Sequence, residues 1–294
     1  VLCFQRQTGK LLWQTEVHRG HLATKGHKKG SQASATVACD GERVFANFLN
    51  AGAIYTTALS RAGKILWQTK VTDYLVHQGF GASPAIYQSL VIVSADNQGT
   101  GMIAGLDRLT GKVVWTHERP KLPNYTSPII LTIDGRDQLL FTGCDLVSSF
   151  DPLTGSKLWE TAGATTECVT STVTDGKLII TSGGYPKDHV SAVRADGSGQ
   201  VAWKNGVRVY VPSMLLRDGM ATMSLDGESG GTPIPGAPVD RVEYVHLLPN
   251  LLISAHPDYV MTHRLVPLSP GRTWIECSWY LVPAPDGRTP DPAY

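Results

Sequence analysis

No stretch of this 294-residue chain is apolar for the length that a membrane-crossing helix needs, about 20 residues, so no membrane-spanning segment is expected. Charge of one sign is also lacking. Lysine and arginine total 26 against 25 acidic residues, for a net charge of +1, which leaves no global field toward nucleic acid or anionic lipid. Cysteine is sparse: Cys3, Cys39, Cys144, Cys168 and Cys277 are scattered, odd in number and never spaced C-x-x-C. That excludes a zinc ribbon or a disulfide framework and predicts small buried hydrophobes. No window carries helical periodicity. The charged fraction of 17% against a hydrophobic fraction of 42% excludes a disordered chain. The chain opens at Val1 inside a repeat, so further sequence is expected before it, and the lack of a leader there says nothing about secretion.

Turn residues, by contrast, are plentiful (30 glycines, 18 prolines), and they punctuate a phrase written five times. The copies are Thr8-Gly9-Lys10-Leu11-Leu12-Trp13, Ala62-Gly63-Lys64-Ile65-Leu66-Trp67, Thr110-Gly111-Lys112-Val113-Val114-Trp115, Thr154-Gly155-Ser156-Lys157-Leu158-Trp159 and Ser198-Gly199-Gln200-Val201-Ala202-Trp203. The tryptophans are 54, 48, 44 and 44 residues apart. A serine marks each period as well, at Ser34, Ser83, Ser127, Ser171 and Ser213. Short β-type runs follow it, as in Thr172-Val173-Thr174, Lys177–Thr181, Val190–Val193 and Gln200–Trp203, and Asp-Gly and Thr-Gly turns separate the strands of the periods.

Four antiparallel strands at this period describe a β-propeller blade, a unit that must stack on its neighbours to cover its faces. Trp13, Trp67, Trp115, Trp159 and Trp203 are therefore expected as apolar plugs between blades, with the five serines as structural marks. The expected fold is all-β: an incomplete propeller of four whole blades plus partial ones, then a short antiparallel β meander. Residues 31–204 supply the whole blades, 1–17 the end of an earlier one and 209–218 the start of a later one.

The stretch Asp151-Pro152-Leu153-Thr154-Gly155-Ser156-Lys157-Leu158-Trp159 resembles the repeat of the pyrroloquinoline-quinone (PQQ)-like propellers, over about residues 1–218. That group includes quinoprotein dehydrogenases and outer-membrane protein assembly factors. The resemblance implies a ring of about seven or eight blades, more than this chain encodes. In the dehydrogenases it implies PQQ with calcium, an Asp base and often a disulfide of adjacent cysteines. No adjacent cysteine pair and no recognisable calcium-ligand set is present, so no bound cofactor is expected. The stretch His18–Lys29 carries His18, His21 and His27 at no standard zinc spacing and reads as a solvated basic loop. Asp107 and Asp151 are expected to bond the amides of their own turns.

From about Gly219 the repeat vanishes. Tyr244–Ser254 reads as one strand, His256-Pro257-Asp258 as a turn, and Tyr259–Val266 alternates with period two. Pro267–Arg272 reads as a second turn before a strand with Ile275, Cys277, Trp279 and Leu281 on one face, making three strands with an apolar face to cover. Met223–Gly227, Leu248–Ser254 and His256–His263 resemble the catalytic domain of ring-hydroxylating (Rieske-type) oxygenase α subunits, over about 219–283. That resemblance implies a Rieske cluster and a mononuclear iron site. Neither the Cys-x-His pair nor the D-x-x-H-x-x-x-x-H pattern is present in the tail, and His256 and His263 are read as polar hairpin ends. No catalytic, cofactor-binding or metal residue is assigned.

The expectation is then a propeller at 1–218 and an oxygenase-like fragment with a disordered C-terminal end at 219–294. The propeller would be a non-catalytic, PQQ-like binding or scaffold module, outside the cytoplasm, meeting protein partners through its faces or open blade edges. The alternatives are a truncated quinone-dependent dehydrogenase and a fragment of an iron-dependent oxygenase.

Overall fold

A computed structural model describes residues 1–23, 25–27, 31–211, 213–217, 220–222, 243–247, 251–255, 259–269 and 272–281. Every regular element among them is a strand. The chain divides into two compact units, Val1–Phe4 with Lys10–Ser224, and Gln5–Gly9 with Leu225–Tyr294.

In the first unit, β1 (Leu2–Phe4) and β2 (Leu11–Gln14) form a two-stranded sheet. Four four-stranded antiparallel meanders follow. The first holds β3 (Ala38–Cys39), β4 (Arg43–Asn50), β5 (Ala53–Ser60) and β6 (Ile65–Asp73). The second holds β7 (Ala85–Tyr87), β8 (Leu90–Ser94), β9 (Gly101–Asp107) and β10 (Val113–Arg119). The third holds β11 (Ile129–Ile133), β12 (Arg136–Gly143), β13 (Leu146–Phe150) and β14 (Lys157–Ala162). The fourth holds β15 (Val173–Thr174), β16 (Leu178–Gly183), β17 (His189–Arg194) and β18 (Val201–Asn205). A last pair, β19 (Leu215–Arg217) and β20 (Met220–Thr222), closes the unit. These are the blades of an incomplete propeller.

Strand β8 shows why the sheets stack. All five of its residues are buried. Val91 and Val93 pack with Phe45, Leu49 and Ile54 of the first sheet, while Leu90 and Ile92 pack with Leu139, Phe141 and Phe150 of the third. A strand's side chains alternate between faces, so an unbroken apolar run serves two neighbours at once. Ile133, Leu140 and Trp159 repeat the arrangement against Ile179 and Val193 of the fourth sheet.

Four of the five repeated tryptophans, Trp13, Trp67, Trp115 and Trp159, sit where successive sheets meet. Each of the five lies opposite a small residue on the adjacent strand: Cys3 for Trp13, Ala58 for Trp67, Gly105 for Trp115, Ser149 for Trp159 and Ala192 for Trp203. A β-bulge adjoins each pair, the irregularity that re-aims a side chain. Four of the rings then reach the glycine of the next phrase. A Cβ on Gly155, at φ +68°, would overlap the Trp115 ring, and one on Gly111, at φ +73°, would overlap that of Trp67. Gly63 and Gly199 stand likewise against Trp13 and Trp159. Trp13 Nε1 donates to the Arg61 carbonyl (2.8 Å) and Trp67 Nε1 to that of Arg108 (3.1 Å). Trp115 and Trp159 are buried; Trp203, with no sixth phrase after it in the sequence, is 41% exposed.

Within the first unit, the serines link the segments that open successive sheets. Thr36 N–H donates to Ser83 Oγ (2.8 Å), Ser83 N–H to Ser127 Oγ (2.9 Å) and Ser171 N–H to Ser213 Oγ (2.9 Å). Ser34 bonds locally, its hydroxyl donating to the Ser31 carbonyl. Asp107 Oδ1 accepts from the amides of Leu109 and Thr110, and Asp151 Oδ1 from those of Leu153 and Thr154.

The second unit holds a four-stranded antiparallel sheet: β21 (Glu243–Leu247), β22 (Leu251–Ala255), β23 (Tyr259–Ser269) and β24 (Arg272–Leu281). This corrects the three-stranded reading. Tyr244–Ser254 is two strands, paired from Glu243↔Ala255 to Leu247↔Leu251. Nor do Pro267–Ser269 form a turn; they continue β23, with Pro267 opposite Thr273. Pairing with β22 ends at Arg264, so beyond it β23 has a free side where a residue without an N–H costs no ladder bond. Cys277 and Trp279 are exposed, as is Cys39, so only Cys144 and Cys168 are fully buried thiols. Met223–Gly227, Leu248–Asn250, His256–Asp258, Gly219 and the C-terminal end expected to be disordered lie outside the described residues.

Burial sets a pH dependence. It depresses His18, His117 and His189 below the ordinary histidine range, with Lys157 and Arg119 adding to the effect at His117 and Lys204 at His189. The unfolded chain then binds protons that the folded chain refuses, so stability falls as pH drops from about 7 to 5. Glu167, raised by burial, acts oppositely: its contribution is lost as pH rises through its folded value. Melting at pH 5.5 is expected below melting at pH 7.5, and His189→Gln should narrow the gap. An unchanged gap in that variant would remove this account.

Candidate functional site

Within the first unit, the connections that leave the last strand of each sheet for the next converge on an open cleft of about 590 Å³. Its lining comes from successive connections: His27 and Ser34, then Gln78 and Phe80, then Tyr125, then Glu167 and Val169, then Tyr210 and Val211. Backbone bonds knit neighbouring connections together. His27 N–H donates to the Gln78 carbonyl (2.7 Å), Gln78 N–H to Tyr125 Oη (3.2 Å) and Tyr125 N–H to the Cys168 carbonyl (3.1 Å).

Glu167 is the cleft's one carboxylate among the described residues. Its side chain is 6% exposed and its Oε1 lies 3.2 Å from His77 Nε2. Burial holds the Glu167 carboxyl above its ordinary value, against the lowering effect of His77. Burial, with the Glu167 charge as a further cause, pushes the phenols of Tyr74, Tyr125 and Tyr210 upward.

Beneath this layer lies a sealed ionic cluster. Arg119 Nη2 donates to Asp96 Oδ2 at 3.2 Å with side-chain exposures of 1% and 0%. Arg119 also donates to Ser148 Oγ (3.0 Å) and the Gly143 carbonyl (3.1 Å), and its guanidinium lies 4.6 Å from the centre of the Phe141 ring. Asn124 Nδ2 donates to Asp96 (3.1 Å), and Asn124 Oδ1 accepts from Cys168 N–H (3.1 Å). The cluster thereby fixes the residues beside Tyr125 and Glu167. Cys144 Sγ is 3.4 Å from Asp96, and burial raises both Cys144 and Cys168, leaving them protonated and inert.

None of the tryptophans or serines singled out in sequence lines this cleft except Ser34. His77, Glu167, Tyr125 and Tyr210 carried no sequence signal, since each lies on a different connection. His18 is not a solvated loop residue: it packs on Phe48 and Tyr55 and borders a second hollow of about 450 Å³. Of the His18–Lys29 stretch, Thr24, Lys28 and Lys29 lie outside the described residues.

Calcium takes about six to eight oxygen ligands, rich in carboxylates. Among the described residues no three His, Cys, Asp or Glu side chains gather in metal-binding range. The lining therefore does not fit a calcium-held quinone. The second unit's described residues likewise do not fit a two-His, one-carboxylate iron site; there His263 faces Cys277 across β23 and β24.

The family model described as outer membrane protein assembly factor BamB matches residues 1–232. That of the ring hydroxylating alpha subunit catalytic domain matches residues 185–292. No curated protein matches. Among solved structures, BamB from Moraxella catarrhalis is similar at 13% identity and TM-score 0.45, covering 83% of this chain and 64% of that one. Quinohemoprotein alcohol dehydrogenase from Comamonas testosteroni is similar at 12% and 0.46, covering 79% and 41%. A europium-containing methanol dehydrogenase is similar at 12% and 0.49, covering 92% and 61%. The chain thus spans less than two thirds of each of these proteins.

Proposed function

The chain belongs to the outer membrane protein assembly factor BamB family of PQQ-like propellers, and from that premise we propose that residues 1–218 are a non-catalytic binding module. Its work is to hold a protein partner against the face where the sheet connections meet. Residues 219–294 are an inactive oxygenase fragment fused to it. The address is extracytoplasmic, in keeping with the family's description.

One observation carries this reading. The cleft is concave, aromatic-lined and tied together by backbone hydrogen bonds, yet its described residues offer a single carboxylate and no gathered set of three His, Cys, Asp or Glu side chains. Pre-formed concave surfaces with few convergent polar groups are binding sites first. Reaction chemistry needs further groups at the same place.

Titrating the full chain with PQQ and calcium, with an alcohol and an electron-accepting dye present, tests the reading. The expected result is no stoichiometric quinone absorbance and no dye reduction above the protein-free rate. Saturable quinone binding with dye reduction would replace this reading with a truncated dehydrogenase.

A further inference from the structure

Resting on that reading, we infer that the cleft takes an organic cation, an alkylammonium or guanidinium group, seated against Glu167 among the rings of Tyr125, Tyr210 and Phe80.

The first support is Glu167 itself. A carboxylate with 6% exposure is rarely placed in a cleft without a cationic counterpart. The buried guanidinium nearby does not serve it, because Arg119 is engaged by Asp96, Ser148 and Gly143. His77 stands at 3.2 Å but is 38% exposed, and burial still raises the Glu167 carboxyl more than His77 lowers it. An added cation would remove that excess.

The second support is the wall. Aromatic rings and a carboxylate lining one cleft suit a diffuse organic cation. A compact divalent metal, which favours several carboxylates, finds only one here among the described residues. Anions meet the wrong sign of charge. At the rim, Val169 and Val211 are 38% and 56% exposed, which gives an alkyl stem apolar surface to lie on while its head reaches inward.

The source of the cation is either a lysine or arginine side chain of a protein partner or a free amine, and the test separates them. Agmatine, n-butylurea and the blocked peptide acetyl-Gly-Arg-Gly-amide are titrated calorimetrically into the full chain. Agmatine should bind saturably at one site and the neutral urea should not. Glu167→Gln should weaken agmatine by tenfold or more. Val169→Arg, at an exposed position that leaves the core untouched, should do the same by placing its own guanidinium over the cleft. A peptide at least tenfold tighter than agmatine assigns the site to a partner's side chain; a tighter agmatine assigns it to free amines. The inference is overturned if neither cation saturates, if butylurea binds as well as agmatine, if both variants bind unchanged, or if calcium chloride alone displaces agmatine. Any of these leaves the binding-module reading intact, since only quinone-dependent dye reduction removes that.

Discussion

Replacing Arg119 by methionine is expected to cost the propeller about 3–5 kcal/mol, the usual loss when one partner of a buried ion pair is removed. In a unit of this size that corresponds to a fall in Tm of roughly 6–20 °C. Asp96 would be left with 0% side-chain exposure and no cation. Its remaining donors, Asn124 Nδ2 and Cys144 Sγ, are neutral. The Gly143 carbonyl and Ser148 hydroxyl would lose a donor as well. The penalty comes from the stranded charge more than from the pair's own attraction, and that sets the diagnostic. The double variant Arg119→Met with Asp96→Leu should recover much of the loss, because no buried charge remains. A single variant that melts like the parent, or a double variant lower than the single, would contradict this view. Because Asn124 passes the cluster's hydrogen bonds to Cys168, beside Glu167, the single variant should also loosen the cleft.

The parts of the molecule that recur were legible in its sequence. The Trp and Gly of each phrase are chemically distinctive and return at a near-constant step, so both the stacked sheets and the places where they touch could be read from residues such as Trp115 and Gly155. Their cross-strand partners were not legible. Cys3, Ala58, Gly105, Ser149 and Ala192 share only smallness, which a sequence shows at many other positions too. The buried Arg119–Asp96 pair occurs once, 23 residues apart, and periodicity says nothing about a feature that does not repeat. The cleft is harder still. Tyr125, Glu167 and Tyr210, with His77 against Glu167, are ordinary residues on separate connections, brought together only by sheet stacking. In the tail, the apolar residues on either side of Pro249-Asn250 read as one strand, although that dipeptide is itself a turn signal and falls between β21 and β22, and Pro267 read as a turn because its free side depends on where β22 stops pairing.

The central claim is that the repeated indole is a wedge between successive sheets, and that the cleft exists because those wedges fix one connection against the next. Trp115 fills space between β9, β10 and the Gly155 turn of the following sheet, at 9% exposure. Removing a buried ring of this size costs about 3–5 kcal/mol, transfer and cavity terms together. Trp159 has the same exposure and stands against Gly199. Trp203 carries the same phrase but is 41% exposed, so its truncation should cost several-fold less. Calorimetric melting of Trp115→Ala, Trp159→Ala and Trp203→Ala beside the parent chain therefore tests the claim directly. The account predicts falls of roughly 6–20 °C for the first two and only a few degrees for the third. Equal falls at all three, or parental melting of Trp115→Ala, would contradict it.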